Sequence, residues 1–336
     1  MKAIKFFAIS AMAAAMITSC SSEDELSQSN YPSDNIIRVT AGVNNAKTRA
    51  EGAGTEMKND FSLTIVNKNA PKYTYTDKVF SKSSGDWACS ETLLWQKSDA
   101  LVDIVAFAPA QTGKFNGVYA NGSIQPITYS VASDQSTSSD NNDLLYYYAP
   151  GFNPGTSLVN KKLSIQFNHA FCMIDIVVTL GTEFNKPKVL DDSPIVKVTL
   201  DGTKIAANVD VKNAATGSTT TTAASVVTAS ETATPTTITT TKGTFTKAAN
   251  EEANAKSCFS CIAIPQTVAA NTFKVSLMTA GKRYEWTSAD KVELKSGYKY
   301  TLELSMGNDV VLLKGGSISA TPWTEAEISD NTLETD

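Results

Sequence analysis

The sequence predicts an all-β protein, arranged as two tandem β-sandwich domains behind an export leader. Two observations carry the class. Thr, Ser, Ala, Asn, Val and Tyr are plentiful while long stretches at helical spacing are missing, a balance that favours strands. Short runs of alternating apolar and polar residues recur along the chain, broken by Asn, Asp, Gly and Pro. That is the period-2 signature of half-buried strands between turns. A length of 336 residues suits about two domains once a leader is removed. A hydrophobic fraction of 42% is enough for real cores. The expected division is a leader at 1–19, a linker at 20–35, an N-terminal sandwich at 36–160, a C-terminal sandwich at 161–309 and a terminal segment at 310–336.

Lys2 and Lys5 make a positive start, and Phe6 to Ile17 form an apolar stretch too short to span a bilayer. It ends in Ile17-Thr18-Ser19-Cys20, which looks like the lipobox of a bacterial lipoprotein. Cleavage there would leave Cys20 as a lipidated N-terminus. Acyl chains anchor at ~0.8 kcal/mol per buried methylene, so no transmembrane helix is needed. The acidic run Ser21-Ser22-Glu23-Asp24-Glu25 resembles the signal that sends some Gram-negative lipoproteins to the outer face of the outer membrane. A solvated linker would use the same residues. No other stretch is long and apolar enough to span a membrane, so the body is expected to be soluble.

The next segment reads Ile36-Ile-Arg-Val-Thr-Ala-Gly-Val-Asn-Asn-Ala-Lys-Thr-Arg-Ala50. Ile37, Val39, Ala41 and Val43 alternate with polar or small residues, the pattern of a half-buried strand. A polar, basic run ending in Arg49 follows at once. Two readings fit: an ordinary first strand and loop, or a strand made removable by a cleavable link.

Short strand-like runs then follow at Phe61 to Val66, Tyr73 to Phe80, Leu101 to Ala108, Val118 to Tyr119 and Ile124 to Tyr129. Trp87 and Trp95 read as packing anchors. Asp143 to Tyr148 reads as a strand edge with tyrosine hydroxyls at the surface. Residues 150–160 are turn-rich and mark the candidate domain boundary. Leu163, Ile165 and Phe167 alternate in one phase, and Ile174, Ile176 and Val178 in the other. Such a change suggests a bulge or break between Asn168 and Cys172.

The second half repeats the style. Ile195 to Leu200 precedes the turn signal Asp201-Gly202, and Ile205 to Val211 follows. The Thr/Ala/Ser tract at 213–242 reads as long loops with weak edge-strand character. Clear strand patterning resumes at Cys258 to Ile264, Phe273 to Leu277, Arg283 to Trp286 and Tyr298 to Leu304. Val310 to Leu313 and Ile318 to Trp323 are strand-capable pieces joined through Gly315-Gly316.

Candidate chemistry is thin. A net charge of −5 and the lack of a basic patch argue against nucleic acid. The single histidine, His169, reads as a structural hydrogen-bonder, with no second histidine for a zinc site. Cys258 and Cys261 match C-x-x-C, but residues three apart on a strand face opposite sides. With Cys89 and Cys172 they allow three disulfide pairings, or none. No nucleophile elbow, P-loop or zincin motif is present. No catalytic, cofactor-binding or metal-binding residue is assigned, and an enzyme is not expected.

Five stretches together resemble the fimbrillin family of bacterial pilins. They are the lipobox at Ile17 to Cys20, the early strand ending in Thr48-Arg49-Ala50, Asp143-Leu-Leu-Tyr-Tyr, and Leu163-Ser-Ile-Gln-Phe-Asn-His-Ala-Phe. The fifth is the C-terminal run with Ile264-Pro-Gln, Tyr284-Glu-Trp, Leu294 to Leu302 and Ile318 to Trp323. The resemblance covers most of the chain and omits the 213–242 tract. It implies paired Greek-key sandwiches, an outer-membrane lipid anchor through Cys20 and a cell-surface fimbrium.

It also implies assembly with other copies or related pilins. A trypsin-like protease would cut after Arg49, before Ala50. The strand carrying Ile37, Val39, Ala41 and Val43 would then leave. A neighbour's Val311, Leu313, Ile318, Ala320 and Trp323 would fill its place. The expected role is a shaft subunit serving adhesion, through a receptor the sequence leaves open. The alternatives are a tip adhesin or a surface glycan-binding lipoprotein.

Overall fold

The computed structural model describes residues 30–44, 55–57, 59–111, 113–137, 142–214, 225–313 and 318–323. The chain begins with β1 (Val39–Val43), β2 (Thr55–Glu56), β3 (Phe61–Val66), β4 (Tyr75–Ser83), β5 (Asp86–Cys89) and β6 (Val102–Ala108). A small hairpin, β7 (Tyr119–Ala120) and β8 (Ser123–Ile124), leads to β9 (Ile127–Ser130) and β10 (Leu145–Phe152). The short helix α1 (Pro154–Ser157) then turns the chain into β11 (Leu163–His169).

The second half holds β12 (Cys172–Leu180), β13 (Ile195–Asp201), β14 (Ala206–Val209), β15 (Val227–Ala229), β16 (Ile238–Thr239) and β17 (Thr241–Thr246). It continues with β18 (Lys256–Ala263), β19 (Gln266–Val268), β20 (Lys274–Thr279), β21 (Arg283–Thr287) and β22 (Val292–Leu294). The last strands are β23 (Tyr298–Met306), β24 (Val311–Leu313) and β25 (Ser319–Pro322). The predicted all-β class is what the protein adopts.

The N-terminal sheet runs β11-β10-β6-β3-β4-β5-β1-β2, and β1 also pairs back onto β11. The strands from β11 to β1 therefore form a closed ring, with β2 attached to the outer edge of β1. Inside it lies a core of Phe61, Leu63, Ile65, Ile104, Leu163, Ile165 and Phe167, each essentially fully buried. Phe61 organises this core: it stacks on Phe80 and meets Trp87 and Phe167 edge-on. The opposite faces of β3 and β6 send Val66, Val105 and Phe107 into a second core. Buried on both faces, β3 is inaccessible along its whole length. Its polar residues are satisfied: the Ser62 hydroxyl donates to Asp77, and the Asp77 N–H donates to the Thr64 hydroxyl at 3.0 Å.

The second core is centred on β12, whose side chains alternate strictly between buried and half-buried. β12 lies between β18, antiparallel, and β23, parallel, in the sheet β17-β18-β12-β23-β24. Ile174, Ile176 and Val178 meet Phe171, Phe273, Leu302 and Leu304 there. The sheets β16-β13-β20-β21 and β15-β14-β9 add further layers to the same core. Gly202 makes the β13–β14 connection possible. Its φ is +93°, and a Cβ there would lie 2.1 Å from the Thr272 carbonyl oxygen.

Several sequence expectations are refined. The turn-rich run at 150–160 does not separate sheets. It joins β10 to its antiparallel neighbour β11, so a division between 160 and 161 falls inside the N-terminal sheet. Gly151 at φ +59° and the Asn153 side chain, which accepts from Gly155 N–H at the start of α1, shape this turn. The phase change between Asn168 and Cys172 is a change of sheet: β11 ends the ring and β12 begins the second layer. β9 pairs with β14 from the second half, so the two halves interlock. β10 pairs with β6 and also with β11 at Leu145 and Tyr146, so it is not a free edge, and Tyr146 to Tyr148 are half-buried.

Candidate assembly site

β1 is the closing member of the ring. It runs parallel to β11, with Val39 to Val43 opposite Leu163 to Phe167. Its other edge meets β5 only at Val39 and Trp87, then β2 at Gly42 and Val43. The chain entering β1 is fastened as well. The Ile37 N–H donates to the Leu93 carbonyl at 2.9 Å, and the Trp95 N–H to the Asn35 carbonyl at 2.8 Å. Just past β1, the Asn44 N–H donates to the Phe167 carbonyl at 2.7 Å.

The alternation read from the sequence is the one the strand uses. Ile37, Val39 and Val43 are buried, Ala41 is half-buried, and Arg38 and Thr40 face solvent. Arg38 turns back to Asp34 at 2.6 Å. That hydrogen bond holds the exposed Asp34 carboxyl down at about 2, below the usual carboxylate range. The three buried side chains enter the core built by Phe61, Leu163, Ile165 and Phe167. Without β1, the facing edges of β5 and β11 would be open.

The C-terminal pieces sit on the other sheet. Both β24 and β25 pair antiparallel with β23, β24 with its end and β25 with its beginning. Val311 is buried in the second core and Ile318 is half-buried against it, while Val310 and Leu312 are exposed. The Leu313 backbone pairs with Leu304, and Ala320 pairs with Tyr300 and is exposed. Trp323 is half-buried: its N–H donates to the Gly297 carbonyl at 2.7 Å, and its ring stacks on His169.

The predicted site residues thus form two groups. Ile37, Val39, Ala41 and Val43 come together in the ring. Val311, Leu313, Ile318, Ala320 and Trp323 gather along β23. Cys20 and the Arg49–Ala50 pair lie outside the described residues. Sequence reading missed that Leu163, Ile165 and Phe167 are the ladder partners of β1, and that His169 is the partner of Trp323. The strong alternation of β11 was a sign of burial, but nothing in it named a partner more than a hundred residues away.

His169 is structural in the way its surroundings suggested. Its Nδ1 lies 2.7 Å from the Asp143 carboxylate, and the ring is buried. The four described cysteines are free thiols. Cys258 and Cys261 face opposite sides of β18, one half-buried and one in the core. Among the described residues no group of three His, Cys, Asp or Glu side chains could hold a metal ion. Among them, too, no helix is long and apolar enough to cross a membrane.

Comparison with known proteins places this arrangement. A profile of the fimbrillin-like family matches residues 48–323. Among solved structures, a Bacteroides ovatus protein assigned to cell adhesion is similar in fold, with a TM-score of 0.59 at 16% identity, covering 87% of this chain and 99% of that one. A Bacteroides uniformis protein with the same assignment has a TM-score of 0.54 at 16% identity, covering 87% and 100%. A fimbrial protein from Bacteroides vulgatus has a TM-score of 0.52 at 15% identity, covering 86% and 99%. No curated protein matches the sequence. The family match spans most of the chain, from residue 48, between β1 and β2, to Trp323: the protein belongs to the fimbrillin-like family.

Proposed function

We propose that this protein is a shaft subunit of a cell-surface fimbrium, polymerised by strand exchange after proteolysis. It is exported as a lipoprotein, held at the outer membrane by acyl chains on Cys20, and cut between Arg49 and Ala50. β1 then leaves the ring. The C-terminal segment of another copy, with Val311, Leu313, Ile318, Ala320 and Trp323, takes its place by β-augmentation.

The observation that carries this reading is the position of β1 as the strand that closes the ring. Burying Ile37, Val39 and Val43 stabilises the fold by roughly 5–9 kcal/mol before ladder bonds are counted. Whole-domain stability is only about 5–15 kcal/mol. A ring that has lost β1 is therefore marginal, with two unpaired edges ready for a new strand. Donor and acceptor are different surfaces, so the contact is head-to-tail and does not close on itself. A C-terminal segment that forms two strands supports a shaft position over a tip.

The test is intact-mass analysis of surface protein from cells carrying the natural chain or Arg49→Ala. The natural chain should begin at Ala50 within fibres. The variant should begin at lipidated Cys20 and remain monomeric. Normal fibres built from the variant would overturn the proposal.

A further inference from the structure

The loop that carries β22, the start of β23 and β25 together line an open cavity of about 370 Å³. Its floor is aromatic. Tyr298 and Tyr300 lie side by side on one face of β23, ring centroids 6.5 Å apart and tilted by 42°. The Lys295 N–H donates to the Tyr300 hydroxyl at 2.8 Å, which ties the loop to this floor. One wall is apolar, made by Ile318 and Ala320 of the C-terminal segment. The rim is charged and balanced: Asp290 and Glu293 supply two carboxylates, Lys291 and Lys295 two ammonium groups. Glu293 and Lys295 approach to only 3.7 Å and are both well exposed, so each keeps hydrogen-bonding capacity for a ligand.

Each feature narrows the ligand. A cavity of this size, between apolar and polar in its lining, takes a small molecule and not a folded domain. Flat tyrosine faces suit a ring that presents C–H bonds on one side. Carboxylates on the rim accept from hydroxyls, and ammonium groups donate to hydroxyl or ring oxygens, both as charge-assisted bonds. Because the rim charges cancel, nothing favours an anion or a cation. We infer that this cavity is a binding site for a neutral saccharide of about one or two hexose rings, with the ring stacked on Tyr298 and its hydroxyls held by Asp290, Glu293 and Lys295. The site is separate from the ring that holds β1. On the strand-exchange reading it is complete only in a copy that keeps its own C-terminal segment, so uncleaved monomer is the material to test.

The experiment is saturation-transfer NMR on full-length monomer with the methyl glycosides of glucose, galactose and mannose, with N-acetylglucosamine and with lactose. At least one probe should bind saturably and receive magnetisation from tyrosine ring protons. Glu293→Gln, at an exposed position that leaves folding intact, should weaken that probe about tenfold by removing one charge-assisted bond. Tyr298→Ala should weaken the ring-proton transfer severalfold, leaving only what Tyr300 supplies. Bound sugar should also slow amide exchange at 319–321, because the ligand braces β25. Absence of saturable binding by all five probes would overturn the proposal. Binding unchanged in both variants, or exchange at 319–321 unchanged at saturation, would overturn the placement of the site. None of these readouts depends on whether the protein polymerises.

Discussion

Trp323 lies flat on His169, with ring centroids 3.8 Å apart and planes within 12°. His169 is the last residue of β11, the same strand that holds β1 through Leu163 to Phe167. One strand therefore touches both the N-terminal strand and the C-terminal segment. The stack also caps the buried pair of His169 and Asp143. An aromatic stack of this kind adds about 0.5–1.5 kcal/mol beyond area burial, so Trp323→Ala should speed amide exchange at 319–321 by about two- to tenfold. Exchange at β5 should be unchanged, since Trp87 and Cys89 pack against the ring core and not the second one. Equal exchange at 319–321 in the two proteins would mean the stack does not hold the segment.

Ile37 carries the apolar side chain that leads into β1, and it is 6% exposed. Ile37→Ala should lower the stability of the uncleaved protein by roughly 2–5 kcal/mol, through lost transfer energy and a residual cavity. Thr40→Ala, at an exposed position of the same strand, should change it by less than about 0.5 kcal/mol. Urea unfolding followed by tryptophan fluorescence measures both. Equal midpoints for the two variants would contradict the packing assigned to β1.

The proposed head-to-tail growth has a simple consequence for a truncated chain. On that proposal, a protein lacking residues 310–336 would keep the ring and its acceptor position but have no segment to donate. Added to full-length subunits during assembly, it should cap growing fibres and shorten them in proportion to its fraction. Electron microscopy of fibre lengths reads this directly. Fibres that lengthen normally at equal amounts of truncated and full chain would rule out the C-terminal segment as donor.

The cysteines divide by burial. Cys172 and Cys261 are fully enclosed, and burial pushes both thiols up, Cys261 to about 12. The Cys172 thiol also donates to the Ala263 carbonyl at 3.2 Å. Neither forms thiolate at pH 8, and neither is accessible. Iodoacetamide at pH 8 should therefore modify Cys89 and Cys258 slowly and leave Cys172 and Cys261 intact until the protein is unfolded. Peptide mass mapping distinguishes these outcomes, and modification of Cys261 in the native protein would contradict the core assignment.

Much of the strand content was legible because period-2 alternation reports burial directly. Ile37, Val39 and Val43 announced the buried face of β1, and Ile174, Ile176 and Val178 that of β12. The opposed phases of Leu163 to Phe167 and Ile174 to Val178 even marked a discontinuity, although its meaning as a change of sheet was not visible. At 150–160 the turn chemistry was ambiguous, because a connection between neighbouring strands of one sheet and a linker between domains draw on the same Pro, Gly and Asn residues.

The sequence by itself determined that this chain is all-β, where its main strands lie and which face of each is apolar. Only the tertiary structure decided that β1 lies parallel to β11 and closes a ring, that β9 crosses to pair with β14, and that Trp323 rests on His169. The reason is physical. Burial of a side chain leaves its trace in the residue's own chemistry. A strand's N–H and C=O groups, by contrast, are the same at every position and accept any edge of matching register, so the choice of partner is made by how the layers pack together.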